Sequence, residues 1–244
     1  TARAAAGADL VLLASSAEAK ETAARLAVLD RAAVVTDAER VERVDGALHV
    51  TKSVLAGTWV TTVEVTAPVA VVTVEPNAVR AEVAPAPSTP QVFEVEVAGS
   101  ALARAVTVVR TARHQTGRPD LATADVVVVA GRGVDGHLSP VEELADLLGG
   151  AVGATRVAAD EGWVPREQQV GQTGVAVSPR LYIGAGVSGA VHHRGGMQSS
   201  GTVVAVNDDP DAPIFEFADY GVVGDLFEVL PQLTAELRRL RAQG

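Results

Sequence analysis

The sequence predicts an α/β protein with a parallel sheet, and three observations carry that prediction. Asp125–Ala130 (DVVVVA) is a continuous apolar run, as a strand buried on both of its faces requires. Between residues 125 and 206, strand-like runs are followed by helix-like ones, the alternation that makes a parallel sheet. The chain of 244 residues is 48% hydrophobic but only 3% aromatic, so small Ala, Val and Gly side chains must pack strands and helices closely.

The elements follow in order. Asp9–Ala14 reads as a buried strand; Asp9 breaks the apolar run that could otherwise be mistaken for a secretory leader. Ala17–Leu29 reads as a helix with Ala19, Ala23, Leu26 and Ala27 on one face. Ala33–Thr36 is another short apolar run. From Leu48 to Val97 the texture turns to Val and Thr with period two, which predicts strands near 58–66, 69–74 and 91–97 and a further one at Ala105–Arg110. Pro85, Pro87 and Pro90 mark an irregular connection, and Trp59 and Trp163 read as packing residues. Gly, Pro and polar residues cluster at 114–124, dividing the chain into an N-terminal α/β domain (1–117) and a C-terminal domain (118–244).

In the second half, Ser139-Pro140 with Glu142 and Glu143 opens a helix whose apolar face is Val141, Leu144, Ala145 and Leu148; Gly149-Gly150 closes it. Leu181–Ile183 is a strand, a helix is expected over 188–195, Thr202–Val206 is a strand and Ile214–Phe217 a short one. The tail carries Leu226, Leu230, Leu233, Leu237 and Leu240 on one stripe, with Pro231 expected to divide it into two helices. No internal repeat is visible.

Composition excludes several functions. The formal charge of −10 argues against non-specific nucleic-acid binding. With no cysteine there is no disulfide, thiolate zinc site or cysteine-ligated iron–sulfur cluster. No apolar run is long enough to span a bilayer.

The chemistry concentrates between Asp160 and Asn207. After the strand Leu181–Ile183 come glycines at 184, 186 and 189. A strand, a glycine loop and a helix in succession can hold a dinucleotide pyrophosphate on backbone N–H groups. Asn207, Asp208 and Asp209 end the next strand about twenty residues on, where a dinucleotide ribose is met. The spacing fits a nicotinamide or a flavin dinucleotide, and a tight turn without a ligand gives the same pattern. Ser188 does not read as a hydrolase nucleophile, because the pentad GVSGA has Ala in place of its last glycine and no later His beyond the adjacent pair. His192 and His193 diverge by about 100° on a helix, so one faces inward and one outward, and they do not share a metal ion. The run QVGQTG (169–174) is either a polar turn or a set of amide and hydroxyl groups suited to a polar ring edge.

Taken in order, RPDL, AGRG, AVGATR, GWVP, QVGQTG, SPRLYIGAGVSGAVHHRGGMQ, VAVNDDPDAPIF and ADYGVVGDLFEVLPQLTAEL resemble the electron transfer flavoprotein α subunit from about Arg118 to Leu237. The N-terminal part is similar chiefly over Asp9–Leu29, and the family's opening strands are not in this chain. The resemblance implies a C-terminal parallel-sheet FAD-binding domain beside an incomplete N-terminal α/β domain that docks a β subunit. That partner would hold AMP or a second FAD. It also implies a carrier, not an enzyme, that moves electrons from flavin dehydrogenases, such as acyl-CoA dehydrogenases, to a membrane quinone reductase. The expected place is the cytoplasm of a bacterium, or the mitochondrial matrix of a eukaryote.

By position, the family's FAD contacts fall on Arg132, Thr155, Arg156, Val170, Gly171, Gln172, Thr173, Ser188, Gly189, Ala190, Val191, His192, His193, Asn207 and Asp219. Ser188–Val191 would meet the pyrophosphate, and Asn207 and Asp219 the adenosine end. Arg156, Thr173 and His193 would lie nearest the flavin ring, tuning its potential as cations or hydrogen-bond donors. A unit charge about 4 Å from the ring is worth roughly 4 kcal/mol at an effective dielectric near 20, or roughly 170 mV for one electron before solvent screening. The chain departs from the family at Thr155 (commonly Ser), His192 (commonly Gln), Asp208 (commonly Lys), the AGRG run and a shorter loop at Val134–Ser139. The rival functions are an NAD-dependent oxidoreductase on the same glycine loop and a docking subunit without cofactor.

Overall fold

A computed structural model describes residues 7–55, 57–79 and 117–243, with scattered positions between 80 and 116. The strands expected at 91–97 and 105–110 fall in that scattered stretch, where the described residues belong to no strand.

The N-terminal half begins with β1 (Leu10–Ala14) and α1 (Ala17–Asp30). Ser16 caps α1 by accepting a hydrogen bond from Ala19 N at 3.0 Å. Ala23 and Leu26 are buried and Ala19 and Ala27 half-buried, the face that the periodicity gave. Next come β2 (Ala33–Ala38), β3 (Arg40–Val44), β4 (Ala47–Val54), β5 (Trp59–Val65) and β6 (Ala70–Val74). Strand β6 lies between β1 and β2, all three parallel, while β3, β4 and β5 form an antiparallel meander. Asp45 (φ 50°) and Gly46 (φ 87°) make the two-residue turn between β3 and β4, whose left-handed backbone matches the twist of a hairpin. Along β5, Thr61, Val63 and Val65 turn inward and Thr62 and Glu64 outward, as the alternation requires. Trp59 corrects the expectation of a packing residue: it starts the strand and is 66% exposed. Trp163 does pack against the C-terminal core.

The C-terminal half is a five-stranded sheet in the order β8-β7-β9-β10-β11, parallel throughout. Its elements are β7 (Val126–Ala130), α2 (Ser139–Leu148), β8 (Ala151–Ala154), α3 (Arg156–Asp160), β9 (Leu181–Ala185), α4 (Val191–Arg194), β10 (Thr202–Asn207), β11 (Tyr220–Val223) and α5 (Leu226–Arg241). Both faces of the sheet are covered. Val128 and Ala130 meet Val141, Leu144, Leu226 and Leu230 from α2 and α5, while Val127 and Val129 meet Tyr182, Met197 and Ile214 on the other side. This double burial is why β7 is apolar at consecutive positions.

Three expected elements differ. Residues 214–217 are not a strand: Pro213–Glu216 form a 3₁₀ turn in which Phe215 N bonds Ala212 O at 3.0 Å. A short apolar run carries no periodicity long enough to tell the two apart. The helix expected over 188–195 is a single turn, Val191–Arg194, because Gly195 and Gly196 follow at once. Pro231 does not divide the tail, which is one 16-residue helix running through it. The proline forfeits one backbone hydrogen bond, and the packing of Leu226 and Leu230 before it and of Leu233 and Leu237 after it against the core holds the helix together.

The two halves meet directly. Ser199 Oγ donates to Glu39 Oε1 at 3.1 Å, Asn77 Nδ2 to Ala124 O at 3.5 Å, and Ser178 Oγ to Pro76 O.

Candidate FAD site

In an open parallel sheet, a ligand crevice lies beyond the carboxyl ends of the strands, where neighbouring connections run to opposite faces. Here that point is between β7 and β9. The loops leaving those strands touch backbone to backbone: Gly131 N bonds Ala185 O at 2.8 Å and Gly133 N bonds Gly186 O at 3.2 Å. A side chain at Gly131 would place Cβ 1.9 Å from Gly186 O, so the AGRG and GAG runs require each other.

The loop after β9 then presents Ser188 and Ala190 to solvent, with Gly189 between them buried. Among the described residues, nothing accepts a hydrogen bond from the backbone N–H of Ser188, Gly189 or Ala190. Ser188 O is held by Ile214 N at 3.0 Å and Val187 O by Asn207 Nδ2 at 2.8 Å. With its carbonyls anchored from behind, the loop is a fixed row of donors suited to a pyrophosphate. The one-turn α4 adds little dipole, so what this loop offers an anion is its local N–H groups, not the helix expected over 188–195.

Thr155 and Arg156 leave β8 at the same edge. Thr155 Oγ1 is buried and has no hydrogen-bond partner among the described residues. Arg156 is 68% exposed, its Nε 3.2 Å from Asp160 Oδ2, while Arg166 takes the other oxygen at 3.1 Å. Arg132, exposed, leaves β7 nearby.

The 169–174 run docks beside them. Val170 N bonds Ala154 O at 2.8 Å and Gln172 N bonds His192 O at 2.8 Å. Gly171 lies against the backbone of His192 and His193. Thr173 Oγ1 accepts from Gln169 Nε2 at 3.0 Å, and Gln172 and Thr173 are exposed.

The histidines divide as helical geometry requires: His192 is exposed and His193 is 7% exposed. The role expected for His193 as a cation is corrected. Its Nε2 lies 2.7 Å from Tyr182 Oη and its Nδ1 3.0 Å from Val170 O. Burial pushes its pKa down to about 4, so the ring is neutral near pH 7.

Asp219 is the second correction. It stands at the opposite end of the sheet, where its N bonds Val203 O at 2.9 Å and its Oδ2 accepts from Val203 N at 2.7 Å. Asn207 is four residues further along β10, about 13 Å away at the usual rise of a strand. The carboxylate that does stand at the crevice end is Asp225, the exposed cap of α5, just after Gly224, whose N bonds Asn207 O at 3.0 Å. Its signal was present in the sequence: VVGDLF is an apolar run, a turn and an N-cap before a leucine stripe. Asn207 is itself occupied from both ends, its Nδ2 on Val187 O and its Oδ1 accepting from Asp209 N at 3.0 Å.

A five-stranded parallel sheet with a donor row at its switch point, a buried free hydroxyl and an adjacent cation defines a dinucleotide-binding α/β protein. The description "Electron transfer flavoprotein FAD-binding domain" matches residues 120–198, and "Electron transfer flavoprotein domain" matches residues 1–100. The chain is 47% identical over 226 residues to the electron transfer flavoprotein subunit alpha of Mycobacterium leprae, covering 92% of this chain and 70% of that one. It is 46% identical over 230 residues to the Mycobacterium tuberculosis subunit, covering 93% and 71%. With the mitochondrial subunit of Arabidopsis thaliana it shares 55% identity over 126 residues, 51% of this chain and 35% of that one. The chain belongs to the electron transfer flavoprotein α-subunit family. Its cofactor is FAD, and the family is one of electron carriers whose α subunit pairs with a β subunit.

Proposed function

We propose that this chain, paired with its β subunit, carries electrons from flavin dehydrogenases such as acyl-CoA dehydrogenases to a membrane quinone reductase, and that its FAD sits in the crevice described above. The supporting observation is the combination of unengaged N–H groups at Ser188–Ala190 with the unpartnered Thr155 hydroxyl at one sheet edge. The N–H groups of 188–190 would hold the pyrophosphate. Arg132, Thr155, Arg156 and the 170–173 run would line the ring, and Asn207 and Asp225 the adenosine end. Val191 and His192 would close the same loop.

Bound FAD supplies the capacity to take up and release electrons one at a time. The chain's own contribution is electrostatic. Arg156 would hold a permanent positive charge beside the bound ring and so favour its reduction, and that charge needs no proton transfer to act. Asp160 tethers this arginine and Arg166 to one carboxylate, fixing the position of the charge. No helix of the described residues is long and apolar enough to cross a membrane.

The test uses the purified α/β complex titrated anaerobically with a reductant of known potential. Wild type is expected to be yellow with FAD. Arg156→Ala is expected to lower its potential, by at most roughly 170 mV and by less where water screens the charge. A colourless complex that quenches NADH fluorescence would overturn the reading in favour of a nicotinamide enzyme. An unchanged potential would remove Arg156 from its role.

A further inference from the structure

Tyr182 is fully buried on β9, and among the described residues its hydroxyl has one partner, His193 Nε2 at 2.7 Å. His193 Nδ1 faces Val170 O at 3.0 Å. A carbonyl oxygen only accepts, so Nδ1 must carry a proton. In the neutral ring Nε2 is then bare, and the tyrosine O–H must be the donor. The three groups come from different elements: β9, the turn α4, and the 169–174 run. Among the described residues, the run is also held to its neighbours by Gln172 N on His192 O, Val170 N on Ala154 O, Gln169 N on Arg166 O, and a pair of bonds with Val175.

We propose that Tyr182 is a positioning residue for the cofactor: by donating to His193 Nε2 it locks one tautomer of the imidazole, and the locked ring fixes the Val170 carbonyl and with it the 170–173 run. This inference rests on the FAD reading above and extends it to a residue that never touches the cofactor. It also separates two roles, because a ring held from both nitrogens is a strut, leaving the positive charge beside the flavin to Arg156. Burial favours the same neutral form.

The full chain with its β partner, loaded with FAD and labelled with ¹⁵N at histidine, provides the test. Of the 5 histidines, the His193 signals are those lost in His193→Gln. Wild type is expected to show a protonated Nδ1 and a bare Nε2, unchanged from pH 5.5 to 8. Tyr182→Phe keeps the ring volume and removes only the donor. It is expected to give a mixture of tautomers, an upward move of the ring's titration, and an FAD Kd raised about tenfold, the size of one lost internal hydrogen bond. A wild-type ring protonated at Nε2 would overturn the proposal, as would a ring that titrates near pH 6.5, or a Phe variant with both ring signals and Kd unchanged. If wild type shows the expected tautomer but binds no FAD, the lock stands as a structural device and its role toward the cofactor is overturned together with the FAD reading.

Discussion

Gly189 shows how much of the site rests on single residues. Its φ is +83°, in the region that L side chains avoid, and a Cβ there would stand 2.4 Å from Ile214 N. Since Ile214 N holds Ser188 O, the same displacement would release the donor row. Gly189→Ala is expected to cost about 2–4 kcal/mol, from left-handed strain plus overpacking. It should also abolish FAD retention. Urea unfolding of the variant checks the first effect, and flavin absorbance after gel filtration the second. The glycine's importance was legible from the motif, but its partner was not, because Ile214 lies 25 residues downstream on a turn that reads as a strand. The same limit explains Asp219 and Asp225. Sequence order places both after β10, and only the parallel register shows that they stand at opposite ends of β11.

At the scale of elements, periodicity was a good guide where elements were long and one-sided. Helices α1 and α2 and strands β1, β5, β6, β7, β9 and β10 lie within a residue or two of the expected places. It failed for the one-turn helices, for β11, whose four residues are all exposed, and for α5, where packing overrides proline. A proline at the sixth position of this helix removes the hydrogen bond to Phe227 O and crowds that carbonyl. Pro231→Ala is therefore expected to stabilise the protein by about 1–3 kcal/mol, since the helix is already formed and gains a missing bond. Thermal unfolding of the pair of proteins decides it; a Tm that falls would show that the residues around Pro231 are arranged to need it.

The whole molecule adds a group that no local pattern announces. Glu75 follows β6 and lines a cleft of about 350 Å³ between the two halves, opposite Gly171, Gln172 and Gly195–Ser199. Burial, and then the Asp37 charge, push its pKa up to about 7. Asp37 stays ionised below the usual carboxylate range, held by Lys20 Nζ at 2.7 Å and by the Ser15 hydroxyl at 2.5 Å. Because the folded state holds the Glu75 proton more tightly than the unfolded chain, its stabilising effect is complete below about pH 4.5 and is lost as pH rises through about 7. His193 works in the opposite sense: its folded pKa of about 4 lies below 6.5, so its contribution is present above 6.5 and is lost as pH falls toward 4. Glu75→Gln mimics the protonated form. It is expected to raise stability at pH 8 by on the order of 1–2 kcal/mol, after discounting for partial exposure, and to change little at pH 5. Denaturant midpoints at the two pH values test this, and an equal shift at both would refute a Glu75 that loses its proton between them.

The sequence by itself determined the class of fold, the family and the identity of the glycine loop. These are written in local signals, namely apolar runs, turn residues and an ordered series of motifs, that need no knowledge of distant contacts. Only the tertiary structure decided which side chains reach the crevice and in what state of charge. It buries His193 in its neutral form and puts Asp225, not Asp219, at the crevice end of the sheet. The physical reason is that register and burial arise between segments far apart in the chain, and a group's charge depends on the dielectric and the partners that those segments bring to it.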